Sequence, residues 1–315
     1  QHGRARIVDV TPTRIRQALD EGAIAIVAGF QGFNHDSRDI TTLGRGGSDT
    51  TAVALAAVMG AEVCEIYTDV DGVFSADPRV VKKARKLDRV SYEEMLELAS
   101  AGAKVINVRA VEFARRHGVS LHIRSSFTQE SGTWISEASE GETVEESIVA
   151  GVTGDTSEAK ITVVGVPDIP GKAAGIFTIV ATAGANIDLI VQNVSVHDTG
   201  QTDISFTLPK EDGPKAMEAL EAAKADSGFE SLIYDDHIGR LSVVGAGMRT
   251  NAGVSAQLFT ALSGAGINIE MISTSEIRIS VIMREEILSD AVLAVHTAFG
   301  LDGDTDATVH AGTGR

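Results

Sequence analysis

A short stretch of the chain, TTLGRGGSDTTA at residues 41–52, combines an arginine, adjacent glycines and several hydroxyl groups directly before an apolar run. Gly46 and Gly47 allow backbone amides to approach a ligand closely, and the helix that follows directs its positive dipole end toward the same point. Arg45 adds a guanidinium fork that suits a carboxylate or a phosphate, and Ser48 is predicted to cap the helix. The pattern predicts an anion site, although a glycine turn before a helix can also be only a tight connection.

A second polar stretch, YTDVDGVFSADPR at residues 67–79, follows an apolar run that reads as a strand. Both motifs are expected at the carboxyl ends of parallel strands, where open α/β sheets bind ligands. The spacing of Asp69, Asp71 and Asp77 does not fit a calcium-binding EF-hand loop. A plain polar loop is the alternative, because Asp, Gly and Pro commonly form turns.

Lys104, in GAKVINVRA, is predicted at the start of an apolar helix. From its position alone, a solvated lysine is the ordinary interpretation of such a residue.

These motifs require elements that position them, and the apolar patterns predict an α/β scaffold. Residues 23–30, AIAIVAGF, are expected to form a strand buried on both faces, followed by a helix from Ser48 and a strand in AEVCEIYTDVDG. Ser91 and Glu94 have capping-box spacing at the start of another helix. A further helix is expected in VINVRAVEFARRHG, a strand in VSLHIRSS, and a short strand around Trp134 within a polar, acidic connecting segment.

The rest of the chain contains an internal repeat. ITVVGVPDIPGKAAGIFTIVATAGANIDLIVQNVS aligns with LSVVGAGMRTNAGVSAQLFTALSGAGINIEMISTSE, and TDISFTLP aligns with IRISVIMR. Each copy predicts the order strand, helix, strand, strand, helix, strand, which is typical of ferredoxin-like folds. The last strand is expected in SLIYDD for the first copy and in ATVHAG for the second.

Composition excludes several classes of protein. The chain has 315 residues, 43% of them hydrophobic, and a formal net charge of −17, which argues against broad nucleic-acid binding. No apolar run is long enough to span a membrane, and the single cysteine, Cys64, is expected to be buried and favours a reducing compartment. Neither HExxH nor paired CxxC spacing occurs, so no structural metal site is expected. A cytoplasmic location is the default expectation.

Together, TTLGRGGSDTTA, YTDVDGVFSADPR, SYEEMLELASAGAKV and the paired repeats resemble the aspartokinases, members of the amino-acid kinase family that carry tandem ACT domains. The resemblance extends from about residue 4 to the C-terminus. It implies a partial amino-acid kinase domain over residues 1–140, with a mainly parallel sheet flanked by helices. A linker strand and first ACT domain would occupy residues 141–238, and a second ACT domain residues 239–315, both of them ferredoxin-like.

The resemblance implies transfer of the γ-phosphoryl group of MgATP to the side-chain carboxylate of L-aspartate, which gives 4-phospho-L-aspartate. ATP with Mg²⁺ is then a substrate, no tightly bound cofactor is expected, and no catalytic residue is assigned. The implied aspartate-binding residues are Arg45, Gly46, Gly47 and Ser48. The implied ATP-binding residues are Thr68, Asp69, Phe74, Ser75, Ala76, Asp77, Pro78, Arg79 and Lys104.

By the same resemblance, the repeats imply inhibition by lysine, by threonine or by both, and a homo-oligomer, expected to be a dimer, that forms through the ACT domains. Helix-end amides suit the carboxylate of such an amino acid, and an aspartate suits its ammonium group, although caps and turns explain the same residue types. The implied effector-binding residues are Asp168, Gly171, Ala173, Ile187, Asp188, Gln192, Asn193, Asn268 and Ile269.

The chain departs from the family pattern at its start. Family members begin with a strand and a K-[FY]-G-G-[ST] motif that meets the transferring phosphate, and a later glutamate helps to bind aspartate; neither precedes Gln1. We therefore expect this chain alone to be weakly active. A regulatory amino-acid-binding chain without catalysis is one alternative, and a kinase of another carboxylate or carbamate is a second.

Overall fold

The computed structural model describes residues 5–137, 148–192 and 200–310. The first of these ranges forms an α/β unit. Its helices are α1 (Thr13–Asp20), α2 (Gly47–Met59), α3 (Tyr92–Ser100) and α4 (Val108–His117). Its strands are β1 (Gln31–Phe33), β2 (Ile40–Thr42), β3 (Cys64–Thr68), β4 (Arg89–Ser91), β5 (Leu121–Ser125) and β6 (Thr133–Ser136).

The main sheet of this unit has the strand order β3-β5-β6-β4. β3 pairs parallel with β5 and β4 parallel with β6, while β5 and β6 are antiparallel, so the predicted mainly parallel sheet is confirmed. Helices α3 and α4 connect β4 to β5, and α3 begins with the predicted capping box: Ser91 accepts from the Glu94 amide, and the Glu94 carboxylate accepts from the Ser91 amide. Helix α2 packs against α4, which brings the amino ends of both helices to one edge.

The predicted strand over residues 23–30 is wrong. Residues 24–29 have no regular structure, and the side chains of Ile24 and Ile26 are 91% and 96% exposed. A strand buried on both faces requires a neighbour on at least one edge, and no strand in the described ranges pairs with this segment. The apolar composition alone therefore did not determine the structure.

The first repeat folds as predicted. It consists of β8 (Glu158–Pro167), α5 (Lys172–Thr182), β9 (Ile190–Gln192), β10 (Gln201–Pro209), α6 (Gly213–Ala222), α7 (Lys224–Ser227) and β11 (Ser231–Asp235). Its antiparallel sheet has the order β11-β8-β10-β9, which is the order of a ferredoxin-like fold. Strand β9 lies at an edge of this sheet.

The second repeat differs in one strand. It contains β12 (Ile238–Val244), α8 (Val254–Gly264), β13 (Met271–Thr274), β14 (Arg278–Arg284) and α9 (Leu288–Ala298), and its sheet order is β13-β14-β12-β7. Strand β7 (Gly151–Asp155) precedes the first repeat in the chain and occupies the place predicted for ATVHAG. That prediction is wrong for the described part of ATVHAG, residues 307–310, where Val309 instead bridges to Val70; residues 311–312 lie outside the described ranges.

The two repeats contact each other through equivalent residues. Lys160 and Arg240 hold the same position before ITVVG and LSVVG, and Asp188 and Glu270 end the aligned triplets NID and NIE. Lys160 pairs with Glu270 and Arg240 pairs with Asp188, so one kind of ion pair forms twice in opposite directions. The repeats are therefore related by an approximate twofold axis. The apolar cluster between them contains Leu189, Ile238, Met271 and Ile282.

Candidate functional site

The predicted anion turn lies at the start of α2. Gly46 is the N-cap residue. Two features favour glycine there: its left-handed φ of 71°, and the short distance of 2.4 Å that a Cβ would have to Asn107 Nδ2. Ser48 lies inside the first turn and makes no capping hydrogen bond, so its predicted role as the cap is wrong. Arg45 and Ser48 are both exposed at this turn, where a ligand can reach them.

The start of α4 meets the same turn. Asn107 caps α4 by accepting from the Arg109 amide at 2.9 Å, and its Nδ2 donates to the Arg45 carbonyl at 3.1 Å. Two positive helix ends therefore converge beside Arg45, which favours a bound carboxylate. Asp49 offsets part of this positive potential, because its carboxylate accepts from the Asn107 amide at 3.2 Å.

The second motif begins where β3 ends. Thr68 Oγ1 donates to Asp69 Oδ1 at 3.1 Å, and Asp69 pairs with Arg79 at 3.3 Å. The Arg79 amide donates to Asp77 Oδ1 at 2.9 Å, which closes the turn around Pro78. The arginine side chain is 43% exposed, so its guanidinium is held by carboxylates while its surface stays accessible to an anionic ligand.

Two of the predicted ATP-binding side chains face the interior instead. Ser75 is 1% and Ala76 is 4% exposed, and Ala76 belongs to the core that the second repeat completes. A nucleotide cannot reach these side chains, and the Ser75 amide and carbonyl are themselves bonded to Arg85 and Val152. Their assignment to ATP binding stays a prediction. Phe74 is half-buried and packs against the same core.

Lys104 lies in an exposed loop rather than at a helix start. Helix α4 begins four residues later, after its Asn107 cap, because the asparagine side chain satisfies a free amide and fixes the first turn there. The predicted placement of Lys104 in the helix is therefore wrong. Its side chain is exposed, as a lysine that reaches a substrate would be.

Cys64 is buried, as predicted. Burial, with the nearby negative charge of Asp49, raises the pKa of the thiol to about 11, so it stays protonated and is a poor nucleophile. Within residues 5–137, 148–192 and 200–310, no group of three or more His, Cys, Asp or Glu side chains could hold a metal ion. None of the helices in those same ranges is both long and apolar enough to cross a bilayer.

The predicted effector residues of the first repeat lie along α5 and β9. Gly171 is the N-cap of α5 with a φ of 97°, and no atom lies within 4 Å of the point where its Cβ would be, so the helix end is open. Asp168 is exposed nearby, and Ala173 is half-buried in the first turn. This helix end is open to an anionic group, and its assignment to the carboxylate of an amino acid stays a prediction.

The remaining predicted effector residues do not lie at one site: some are in the first repeat and others in the second. Asp188 is already bound, since its carboxylate accepts from the Arg240 guanidinium, and Ile187 is half-buried in the core of the first repeat. Gln192 is exposed at the end of β9, the edge strand. Asn193 lies outside the described residues. Asn268 and Ile269 line an open cavity of about 400 Å³ in the second repeat with Phe259, Leu262, Ser263, Gly266 and Ile267.

Arg240 is a central residue that sequence reasoning missed. It is 2% exposed and contacts three carboxylates: Asp155 at 3.2 Å, Glu158 at 2.9 Å, and Asp188. Its Nη2 also donates to the Ser100 carbonyl at the end of α3, at 2.9 Å. Arg240 thus joins the α/β unit to both repeats. The available signal was a charged residue inside the apolar strand IGRLSVV.

Burial shifts the proton affinity of this cluster. The pKa of Glu158 is raised to about 7 by burial, which outweighs the attraction of Arg240. Among the described residues, Glu158 Oε2 and Arg240 Nε find no hydrogen-bond partner. The cluster therefore contains one buried acceptor atom and one buried donor atom without a hydrogen-bond partner, and it includes Asp188, a predicted effector residue.

An α/β unit with an exposed glycine turn at the start of α2, followed by two ferredoxin-like repeats, defines the class: an amino-acid kinase unit with ACT repeats. The amino acid kinase family model matches residues 2–125, and the ACT domain model matches residues 161–223 and 241–299. The chain is 58% identical to the aspartokinase of Mycolicibacterium smegmatis over 314 residues, 57% to that of Mycobacterium tuberculosis H37Rv over 314 residues, and 55% to that of Corynebacterium glutamicum over 315 residues. It belongs to the aspartokinase family, whose members are kinases.

Each alignment covers all of this chain and 75% of the relative. Solved structures agree on the fold. The chain resembles Escherichia coli aspartokinase III in complex with aspartate and ADP, with a TM-score of 0.81 and 24% identity over 95% of this chain and 66% of that one. It also resembles Clostridium acetobutylicum aspartate kinase, with a TM-score of 0.73 and 26% identity over 86% of this chain and 62% of that one.

Proposed function

We propose that the chain binds L-aspartate and MgATP and serves transfer of the γ-phosphoryl group to the aspartate side chain, giving 4-phospho-L-aspartate. The observation that carries this proposal is the convergence of two helix amino ends beside the exposed Arg45. The curated relatives are named aspartokinases, and the E. coli enzyme was solved with aspartate and ADP.

In this reaction an aspartate oxygen attacks the γ-phosphorus and forms a P–O bond, while the bond from that phosphorus to the β-phosphate oxygen breaks and ADP leaves. A carboxylate is already a nucleophile and needs no base, so the protein must orient two anions and neutralise their charge. Arg45 and the amides of the α2 turn would hold aspartate. Thr68, Asp69, Phe74, Asp77 and Arg79 would surround the nucleotide with the backbone of Ala76, and the exposed Lys104 would reach its phosphates. Ser75, whose amide and carbonyl bond to Arg85 and Val152, would hold this loop in place.

The effector function is proposed for the repeats. Lysine, threonine or both would bind at the open α5 end and along β9, with Asp188 receiving the ammonium group in competition with Arg240. A second E. coli aspartokinase III structure contains lysine and aspartate, and it has 25% identity and a TM-score of 0.68 to this chain. The exposed edge strands β9 and β13 offer backbone groups through which two copies could pair as a dimer.

Calorimetric titration with aspartate tests the carboxylate site. Arg45→Ala should weaken aspartate binding, because a charged hydrogen bond contributes about 1.5 to 3 kcal/mol, or roughly 10-fold to 150-fold in affinity. Arg116→Ala is the matched control, since it removes an exposed arginine at the far end of α4. Equal aspartate affinity in both variants would remove Arg45 from the site, and a parent chain that binds neither aspartate nor MgADP would contradict the proposed function.

A further inference from the structure

His296 lies in α9 of the second repeat and links it to the segment proposed to bind the nucleotide. Its side chain is fully buried, at 0% exposure. Its Nε2 lies 2.8 Å from Ser75 Oγ, and its Nδ1 lies 3.0 Å from Asp302 Oδ1. The contact with Ser75 joins residues that are 221 positions apart in the chain.

The directions of these hydrogen bonds follow from the partners. The Asp302 carboxylate can only accept, so Nδ1 of His296 carries the proton and Nε2 accepts from the Ser75 hydroxyl. Burial lowers the pKa of His296, against the attraction of Asp302, which favours this neutral form. The Ser75 oxygen in turn accepts from the Arg85 amide at 2.8 Å, so the hydroxyl acts both as a donor and as an acceptor.

Serine, histidine and aspartate in this order resemble the arrangement of a hydrolase triad, but the chemistry is excluded by access. Ser75 is 1% exposed, and no substrate can reach its hydroxyl. The arrangement instead holds a segment of backbone in place. The Ser75 amide donates to the Arg85 carbonyl at 2.8 Å, and the Ser75 carbonyl accepts from the Val152 amide of β7 at 2.7 Å.

The segment after α9 adds contacts to the same loop. The Gly303 amide donates to the Lys83 carbonyl at 2.7 Å, and the Ala307 amide donates to the Lys82 carbonyl at 2.7 Å. The His310 amide donates to the Asp69 carbonyl at 2.9 Å. The loop over residues 69–85 is therefore bonded to both the α/β unit and the second repeat.

We propose that His296 is a positioning residue for the nucleotide: by holding Ser75, it keeps residues 74–79 in the shape that binds MgATP, so the second repeat sets nucleotide affinity. This inference rests on the proposed function, which assigns those residues to ATP. It differs from effector binding at the first repeat, because it requires no ligand on either repeat.

Two substitutions at one position separate the two hydrogen bonds. His296→Gln keeps an acceptor close to the place of Nε2 and can still receive the Ser75 hydroxyl, whereas His296→Asn keeps a polar group near Nδ1 and loses Ser75. MgADP affinity, measured by calorimetry, should fall by about 2-fold to 12-fold in His296→Asn and by less in His296→Gln. Aspartate affinity, measured in the same samples, should stay unchanged.

A matched pair of buried serines provides the control and a second route. Ser75→Ala removes the same hydrogen bond from the other side, together with the acceptor of the Arg85 amide, and should weaken MgADP binding at least as much as His296→Asn does. Ser242→Ala also deletes a fully buried hydroxyl of the second repeat, 2.8 Å from Ser280, but that hydroxyl does not touch the loop, so MgADP affinity should be kept. If the histidine variants fail to fold, the comparison of Ser75→Ala with Ser242→Ala still tests whether the hydroxyl of Ser75 supports MgADP binding.

Equal MgADP affinity in His296→Asn and His296→Gln, or an equal loss for aspartate and MgADP, would overturn the proposal. Amide hydrogen exchange over residues 73–87 provides a readout that needs no ligand: His296→Asn should speed exchange there, and Ser242→Ala should not. Unchanged exchange in His296→Asn would also overturn it. A parent chain that binds no MgADP contradicts the nucleotide assignment separately, while exchange still decides whether His296 holds the loop.

Discussion

The two repeats have the same order of elements and matching sheet orders, yet they join the rest of the molecule differently. In the described ranges, the buried core of the first repeat is formed by its own residues, including Ile176, Val180 and Phe206. The core of the second repeat also contains Ala76 and Val81 of the loop over residues 69–85, the loop proposed to bind the nucleotide. The first repeat therefore has a core of its own, whereas the second repeat shares its core with the α/β unit, although both repeats have the same sequence pattern.

The fourth strand accounts for much of this difference. The first repeat supplies its own, β11, whereas the second uses β7, which approaches from the α/β unit. Thr153 of β7 donates to the Ala101 carbonyl at 2.9 Å, and the Ala246 amide donates to Glu94 at 2.9 Å. These contacts and the bond from Arg240 to the Ser100 carbonyl anchor the second repeat at α3. The first repeat is linked to that helix indirectly, because its Glu158 and Asp188 pair with Arg240. The repeat that carries the proposed effector residues is thus distinct from the repeat that holds the loop over residues 69–85.

The largest expected effect distinguishes the two equivalent cations. Arg240→Met should lower the free energy of unfolding by about 3 to 5 kcal/mol, since it leaves buried carboxylates unpaired. Lys160→Met should cost about 1 kcal/mol, because its partner Glu270 is partly solvated and retains Arg284 at 3.6 Å. Urea denaturation of both variants measures this, with Arg240→Lys as the charge-preserving control. Equal costs would show that the two ion pairs are energetically equivalent.

The next effect concerns equivalent apolar positions in α5 and α8. Ile176→Ala and Leu258→Ala should each cost about 2 to 5 kcal/mol, because both side chains are buried and leave a cavity. The difference lies in how unfolding proceeds. Ile176→Ala should produce an early separate transition of the first repeat, whereas Leu258→Ala should shift the main transition, as followed by calorimetric scanning. Two early transitions, or none in either variant, would contradict the contrast between a repeat with its own core and a repeat that shares its core.

A smaller effect is expected from Glu158, whose equivalent in the second repeat is the apolar Ile238. Burial raises the pKa of Glu158 from 4.5 to about 7, so between these pH values the folded chain binds a proton that the unfolded chain releases. This carboxyl therefore stabilises the fold at low pH, and its contribution is lost as the pH rises through that window.

Glu158→Gln should remove this dependence. Relative to the variant, the parent should lose stability from pH 4.5 to 7, by at most about 1.4 kcal/mol per pH unit. Urea denaturation at several pH values measures the difference, with the exposed Glu218→Gln as control. Parallel stability curves for parent and Glu158→Gln would contradict the raised pKa.

The smallest effect tests which repeat binds effector. Gln192→Ala should weaken binding of lysine or threonine by roughly 2-fold to 12-fold, which corresponds to a neutral hydrogen bond of about 0.5 to 1.5 kcal/mol. Thr274→Ala, at the equivalent edge position of the second repeat, should leave that affinity unchanged. Calorimetric titration of both variants is the measurement. A loss in Thr274→Ala with none in Gln192→Ala would place the effector on the other repeat.

Local signals predicted most individual elements. The apolar runs gave β3 and β5, the S-x-x-E spacing gave the start of α3, and repeat alignment gave the ferredoxin-like order. The glycine turn before a helix was also predicted correctly, whereas its role as an anion site stays a prediction. The predicted cap at Ser48 failed by two positions because Gly46 adopts a left-handed conformation that the sequence permits but does not require.

Contacts between segments distant in the chain could not be predicted from local sequence patterns. VTGDT at residues 152–156 has no strong strand pattern. Its pairing with β12 as part of β7 depends on which edge of the second repeat's sheet is free, and local sequence does not show this. The contact between Ser75 and His296 joins distant segments, and a histidine in LSDAVLAVHTAFG looks like any residue of an amphipathic helix. Lys104 was misplaced for a local reason, because Asn107 competes as a helix cap.

Amide hydrogen exchange over residues 73–87, compared between Ile176→Ala and Leu258→Ala, tests the central claim most directly. That claim is that the second repeat, and not the first, packs against and holds the loop over residues 69–85. The Ser75 amide donates to the Arg85 carbonyl, the Arg85 amide donates to Ser75 Oγ, and Ser75 is held in turn by His296 of α9 and Val152 of β7. Loosening α8 should therefore speed exchange at both amides. Loosening α5 should leave those amides protected. Equal acceleration in both variants, or faster exchange only in Ile176→Ala, would contradict the account.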